Sequence, residues 1–186
     1  MKFLTQAETA RLFKVIKGKR DRALFLLAYR HGLRASEVGI LRVADVDLES
    51  MRLAVTRLKG SWSNVQALES DEARIVKQWI KERSTSKYAT VPTLFISNRG
   101  LPIARRTLDY LMKRYCEKAG IPAEKAHFHV LKHTCATHYL EAGAELRFLQ
   151  HWLGHANVQN TVIYSHIVSK VADDTARELH RKMLRF

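Results

Sequence analysis

Cysteine is scarce in this chain, with Cys116 and Cys135 far apart among 186 residues. Two distant thiols do not make the disulfide framework of a small secreted scaffold, so both are expected buried and reduced. No apolar run approaches the roughly 20 residues that a membrane-crossing helix needs. The opening Met1-Lys2-Phe3-Leu4-Thr5 lacks the apolar centre of a signal peptide, which points to the cytoplasm. Low-complexity tracts and internal repeats are missing, which sets aside linkers and solenoids. Lys17-Gly18-Lys19-Arg20 lacks the glycine spacing and the following Ser/Thr of a phosphate-binding P-loop. The absence of Gly-x-Ser-x-Gly leaves an α/β-hydrolase unsupported.

What the chain does have is positive charge. Lys and Arg number 32 against 18 Asp and Glu, a net +14. Before Glu37 there are nine Lys/Arg and only two acids, Glu8 and Asp21, a balance of +7. An acidic protein partner or plain solubility would suit such a balance. A phosphate backbone suits it better, because neutralised phosphates release counterions and drive binding. With 46% hydrophobic and 27% charged residues, the composition is that of a soluble globular domain of ordinary size.

Hydrophobic periodicity and end signals predict a mostly α domain with a small antiparallel sheet. Thr5-Gln6-Ala7-Glu8 reads as a capping box opening a helix to about Lys17. A second helix should run from Asp21 to Gly32, and a short third from Ala35 to Arg42. Residues 52–58 alternate with period two, Gly60-Ser61 punctuates, and residues 64–68 follow, as in a hairpin or three-stranded sheet. Helix resumes over 70–83, and Thr93-Leu94-Phe95-Ile96 reads as a short strand. An amphipathic helix over 104–119 ends at Gly120-Ile121-Pro122. Helices over 129–142, 145–153 and 157–164 come next, with a last one from about Ser169.

Several residues invite a chemical reading. His129 and His133, four apart, share a helical face as two zinc ligands would. Yet Val130 stands where a zinc-protease helix has its general base, so satisfied polar histidines are the better reading. Tyr164 follows a Leu153-Gly154-His155 turn. A phenol with a pKa near 10 is a weak nucleophile unless cations stabilise its anion and the charge it creates. Arg34, Lys59, His129, Lys132 and His155 could surround a phosphodiester with the donors such an attack needs.

Their order resembles a known family. His31-Gly32-Leu33-Arg34-Ala35-Ser36-Glu37 is similar to the GLRxSE box of the tyrosine recombinases, the phage integrase family. Arg57-Leu58-Lys59-Gly60 resembles that family's hairpin-lysine segment, especially in the short fimbrial phase-switch recombinases. Residues 129–138 resemble its HxLRHTxATH box, and Leu153-Gly154-His155 with residues 161–166 resembles LGH…T…YxH. Four ordered boxes span almost the whole chain.

The resemblance implies a site-specific DNA recombinase that cuts and rejoins double-stranded DNA through a 3′-phosphotyrosyl bond. Tyr164 would attack, Arg34 would grip the non-bridging oxygens, and Lys59 would protonate the leaving 5′-oxygen. His129 would assist proton transfer from the tyrosine, His155 would hydrogen-bond the phosphate, and Glu37 would orient the centre from behind Arg34. No metal or nucleotide cofactor is implied. Lys132 stands where the family usually carries a second arginine, which keeps the charge and loses the planar fork. Arg105, Arg106, Lys113 and Arg114 are the candidates for groove and backbone contacts; a solvated helix face is the plainer alternative. The family's N-terminal clamping domain is expected to be absent, leaving residues 1–186 as one catalytic domain. A tetramer on two DNA sites is implied, with 167–186 a candidate for docking on a neighbour. A topoisomerase-like relaxing enzyme and a non-catalytic DNA-binding relative use the same residues differently and remain alternatives.

Overall fold

Residues 23–28 are all buried, a run no one-sided surface helix could carry, so the second helix has to sit at the centre. The computed structural model describes residues 2–58, 60–164, 176–177 and 180–182. In it, α1 (Gln6–Val15), α2 (Lys19–Arg30) and α3 (Ala35–Ile40) precede a three-stranded antiparallel sheet. The strands are β1 (Val46–Asp47), β2 (Arg52–Val55) and β3 (Asn64–Ala67), in the order β1-β2-β3. Then come α4 (Ser70–Ser84), α5 (Arg105–Lys118), α6 (Val130–Glu141), α7 (Leu146–Trp152) and the single turn α8 (Gln159–Val162).

The fold class matches the expectation from periodicity. The capping box forms as read: the Glu8 amide donates to Thr5 Oγ1 at 3.2 Å, and the Thr5 amide donates to Glu8 Oε2 at 2.8 Å. The first and third helices end two residues short of their expected limits.

One expected element is corrected. Residues 93–96 form no strand of the sheet, only isolated bridges from Thr93 to Arg42 and from Ile96 to Pro102. Their backbone groups are taken by irregular chain on either side. The Leu94 amide donates to the Leu41 carbonyl at 2.7 Å, and the Phe95 carbonyl accepts from Ile103 at 3.1 Å. Burial of Leu94, Phe95 and Ile96 explains their apolar character without a ladder. The expected helix from Ser169 and the docking segment 167–186 fall largely outside the described residues.

Two packed layers meet on α6. Its one side joins the main core with α2, α4 and α5, where Phe25 stands edge-on to Tyr115 and Phe128 at 5.5 and 5.6 Å. Cys135, Ala136 and Leu140 form a second cluster with Leu149, Leu153 and Tyr164. A helix buried on both sides holds its polar groups rigidly, which suits it to carry a site. Cys116 and Cys135 are buried free thiols, as expected. Among the described residues no helix is long and apolar enough to cross a membrane.

Candidate active site

The site is built where three chain reversals meet. After α2 the chain turns at Gly32, whose φ of +57° favours glycine. A Cβ there would sit 2.3 Å from Leu153 Cδ2. The turn delivers Arg34 to the N-cap of α3, where Glu37 bonds it twice, through the Arg34 amide at 2.7 Å and Nη1 at 2.8 Å. After α7 the chain turns again at Gly154, with φ +66°. A Cβ at Gly154 would lie 2.4 Å from the Trp62 carbonyl oxygen and 2.8 Å from Arg57 Cγ. The third reversal is the connection from β2 to β3, and the Trp62 amide donates to the Gly154 carbonyl at 2.9 Å.

Arg57 ties these reversals together. Its side chain is wholly buried, with Nη1 donating to Glu37 Oε2 at 2.8 Å and to the Gly32 carbonyl at 3.1 Å. Nη2 donates to the carbonyls of His31 and Trp152, each at 2.8 Å. Those carbonyls end helices α2 and α7, where helical partners run out. Two β3 side chains also satisfy the end of α7. Asn64 Nδ2 donates to the His151 carbonyl at 2.7 Å and Gln66 Nε2 to the Trp152 carbonyl at 2.6 Å. Sheet and helices are thus locked around Glu37. Sequence reasoning places Arg57 only beside the hairpin lysine and misses this role. A signal is present, because the alternation of buried Leu53 and Val55 continues two residues on to Arg57.

Electrostatics follow from this enclosure. Burial alone would raise the Glu37 carboxyl, but Arg57, the Arg34 amide and Lys132 hold it below the usual range. Lys132, only 3% exposed, lies on the inner side of α6, and its Nζ reaches the Leu153 carbonyl at 3.4 Å. Burial, then Arg57 and Arg34, push it down to about 7. His155 is buried, with Nδ1 paired to Thr161 Oγ1 at 2.9 Å. Burial, then Lys132, Arg34 and Arg57, push it to about 3, so its imidazole is neutral. His129 is exposed at the N-cap of α6, lowered by partial enclosure, then by Lys132, Arg34 and Arg105. Arg34 and Lys132 therefore bring positive charge to one centre, with His129 and His155 as uncharged imidazoles within its field.

Tyr164 lies at its border. Only 1% exposed, it points its hydroxyl to His133 Nδ1 at 2.8 Å, and burial raises its pKa strongly while Arg34 opposes. The contact is with His133 and not with His129, whose ring stands edge-on to His133 at 4.6 Å. His133 is thus a satisfied histidine, and its satisfier is the tyrosine. No group of three or more metal-ligating side chains occurs among the described residues. Lys59 lies outside the described residues.

The basic helix stands apart. Arg105, Arg106, Lys113 and Arg114 are all exposed on α5, with Arg105 Nε 3.7 Å from Asp109. Arg105 acts on His129, whereas Lys113 and Arg114 lie about 12–13 Å further along the axis. The charge elsewhere is partly paired already: Arg30 grips Asp71 through two bonds, and Arg20 bonds Asp21.

A mostly helical domain that gathers arginine, buried lysine and neutral histidines beside a tyrosine is the catalytic-domain class of the tyrosine recombinases. The sequence profile of the Phage integrase family matches residues 2–170, and the chain belongs to that family. It is 36% identical over 169 residues to the type 1 fimbriae regulatory protein FimE of Escherichia coli K12, covering 88% of this chain and 85% of FimE. It is 37% identical to the tyrosine recombinase XerA of Thermococcus kodakarensis, covering 89% of this chain and 58% of XerA. A crystal structure of XerA recombinase superposes with a TM-score of 0.82 at 29% identity, covering all of this chain and 66% of that one. The chain thus spans most of FimE and between about half and two thirds of the XerA chains.

Proposed function

We propose that the chain is a site-specific DNA recombinase that cleaves and rejoins double-stranded DNA through a tyrosyl phosphodiester. The observation that carries this reading is the shared centre of Arg34, Lys132, His129 and His155 beside Tyr164. Arg34, held on one edge by Glu37 and still 30% exposed at its side chain, keeps donors for a phosphate's non-bridging oxygens. Lys132 supplies a second positive charge where an arginine would supply a fork. Its charge is costly while the site is empty. A bound phosphate relieves that cost, so the centre is stronger with DNA than without it.

In the proposed reaction the Tyr164 oxygen attacks phosphorus, the bond to the 5′-oxygen breaks, and Lys59 protonates the leaving oxygen. His129 assists the proton's departure from Tyr164, and His155, neutral and fixed by Thr161, donates a hydrogen bond to the phosphate. Rejoining is the reverse, with the 5′-hydroxyl attacking the phosphotyrosine, so no external energy source is needed. Arg105, Arg106, Lys113 and Arg114 follow the duplex backbone, and protomers pair on two sites to exchange strands.

The test uses nicked suicide duplexes, recovered from a randomised library by covalent capture with the unaltered chain. A denaturation-resistant adduct that disappears in Tyr164→Phe supports the proposal. Adduct with relaxed supercoils and no recombinant product would favour a relaxing enzyme. Binding without any adduct would favour a non-catalytic DNA-binding protein.

A further inference from the structure

We propose that His133 is the proton acceptor for Tyr164, the base that activates the nucleophile. This inference rests on the reading of Tyr164 as the attacking residue; it gives His133 the proton that leaves Tyr164, so that His129, edge-on behind it, assists by acting on His133 and not on the tyrosine itself.

The geometry is direct. Tyr164 is almost fully enclosed, so bulk water does not reach its hydroxyl as a base. Its hydroxyl is 2.8 Å from His133 Nδ1, within the range that proton transfer needs. His129, the exposed residue at the helix start, is one ring further away, edge-on behind His133. Tyr164 stands in the second hydrophobic cluster with Leu149, Leu153, Ala136 and Cys135, which fixes its ring and leaves the hydroxyl one polar neighbour at bonding distance among the described residues.

The protonation state fits. Burial, then His129 and Lys132, push His133 down to about 4, so at neutral pH it is uncharged. With its proton on Nε2, Nδ1 is a free acceptor and Tyr164 donates. A base held so low is weak in the empty site. Part of what depresses it is the Lys132 charge, and a phosphate arriving beside Lys132 offsets that charge. The base therefore strengthens when substrate binds, which keeps Tyr164 protonated until a phosphate is present.

Atoms and protons balance in each direction. The Tyr164 O–H bond breaks as its oxygen bonds to phosphorus, and the proton moves to His133 Nδ1, giving an imidazolium. The P–O5′ bond breaks, its electron pair stays on the 5′-oxygen, and that oxygen takes its proton from Lys59. On rejoining, the 5′-hydroxyl returns its proton to Lys59 as it attacks, and the imidazolium returns its own to the departing Tyr164 oxygen.

The experiment measures single-turnover adduct formation on the captured nicked duplex described above. His133→Ala should slow it by about a hundredfold or more, the usual worth of a positioned base. Added imidazole should restore much of the loss, which a purely structural role would not allow. His133→Gln keeps an oxygen able to accept the Tyr164 hydrogen bond but unable to take the proton. It should unfold at the temperature of the unaltered chain yet cleave as slowly as the alanine variant. Cleavage by His133→Gln within about threefold of the unaltered rate would overturn the inference while leaving Tyr164 as nucleophile, and so would a loss in His133→Ala that imidazole does not repair. An adduct that survives Tyr164→Phe, or no adduct from the unaltered chain, would overturn the underlying reading and this inference together.

Discussion

Replacing Arg57 with Met should cost far more stability than any exposed arginine in the chain. The guanidinium is wholly buried and makes four bonds: one to Glu37, and one each to the carbonyls of Gly32, His31 and Trp152. Methionine fills much of the volume but supplies no donor. Glu37, itself 2% exposed, would keep only the bonds from Arg34, and the Gly32 and His31 carbonyls would lose this donor in a dry interior. Removing one partner of a buried ion pair typically costs about 3–5 kcal/mol, because the other charge stays buried. The Arg34–Glu37 contact gives the internal comparison. With Arg34's side chain 30% exposed, Arg34→Ala should cost only about 1 kcal/mol or less after solvent screening. Guanidinium denaturation followed by far-ultraviolet circular dichroism measures both. The double variant Arg57→Met with Glu37→Gln should be less destabilised than the two single losses added together, since the uncompensated charge is gone. A loss below about 1 kcal/mol for Arg57→Met, or simple additivity in the double variant, would refute the claim that Arg57 ties the site together.

Three further outcomes follow from the same site. Lys132 has its pKa depressed from 10.5 to about 7 by folding, so between those values the unfolded chain binds more protons and stability rises with pH. Lys132→Met should therefore stabilise the DNA-free chain most below pH 7, with the gain shrinking toward pH 10; denaturation midpoints across that range check it, and a flat difference would contradict it. On cleavage, Lys132→Arg should preserve or raise the adduct rate and Lys132→Ala should depress it; equal rates for all three would place Lys132 outside the reaction. Removing both Arg106 and Lys113, exposed on one face of α5, should weaken duplex binding and flatten its dependence on salt, by about 0.9 in log–log slope for each lost phosphate contact. An unchanged slope in a fluorescence-anisotropy titration would show that this face is merely solvated.

Much of the fold was legible because local signals were strong. The Thr5–Glu8 box, the alternation from Arg52 and the stops at Gly32 and Gly120 each act within a few residues. Residues 93–96 misled because an apolar run of four looks alike whether its backbone groups meet a strand or irregular chain. At the site, residue identities could be read in order, but their partners could not. Nothing local says that Arg57 closes two helix ends some 26 and 95 residues away in sequence. Nor does the spacing of His129 and His133 reveal that the second histidine meets Tyr164, 31 residues further on. The depressed Lys132 likewise depends on burial between Arg57 and Leu153, a tertiary fact.

Peptide mapping of the captured adduct shows whether Tyr164 is the residue joined to DNA. Cleavage after Lys and Arg yields a peptide of residues 148–170, in which Tyr164 is the sole tyrosine. Mass spectrometry of the nuclease-trimmed adduct should find the nucleotide on that peptide, with fragmentation placing it on Tyr164. A nucleotide mapped to any other peptide, or the absence of any nucleotide-bearing peptide, would rule out Tyr164 as the nucleophile.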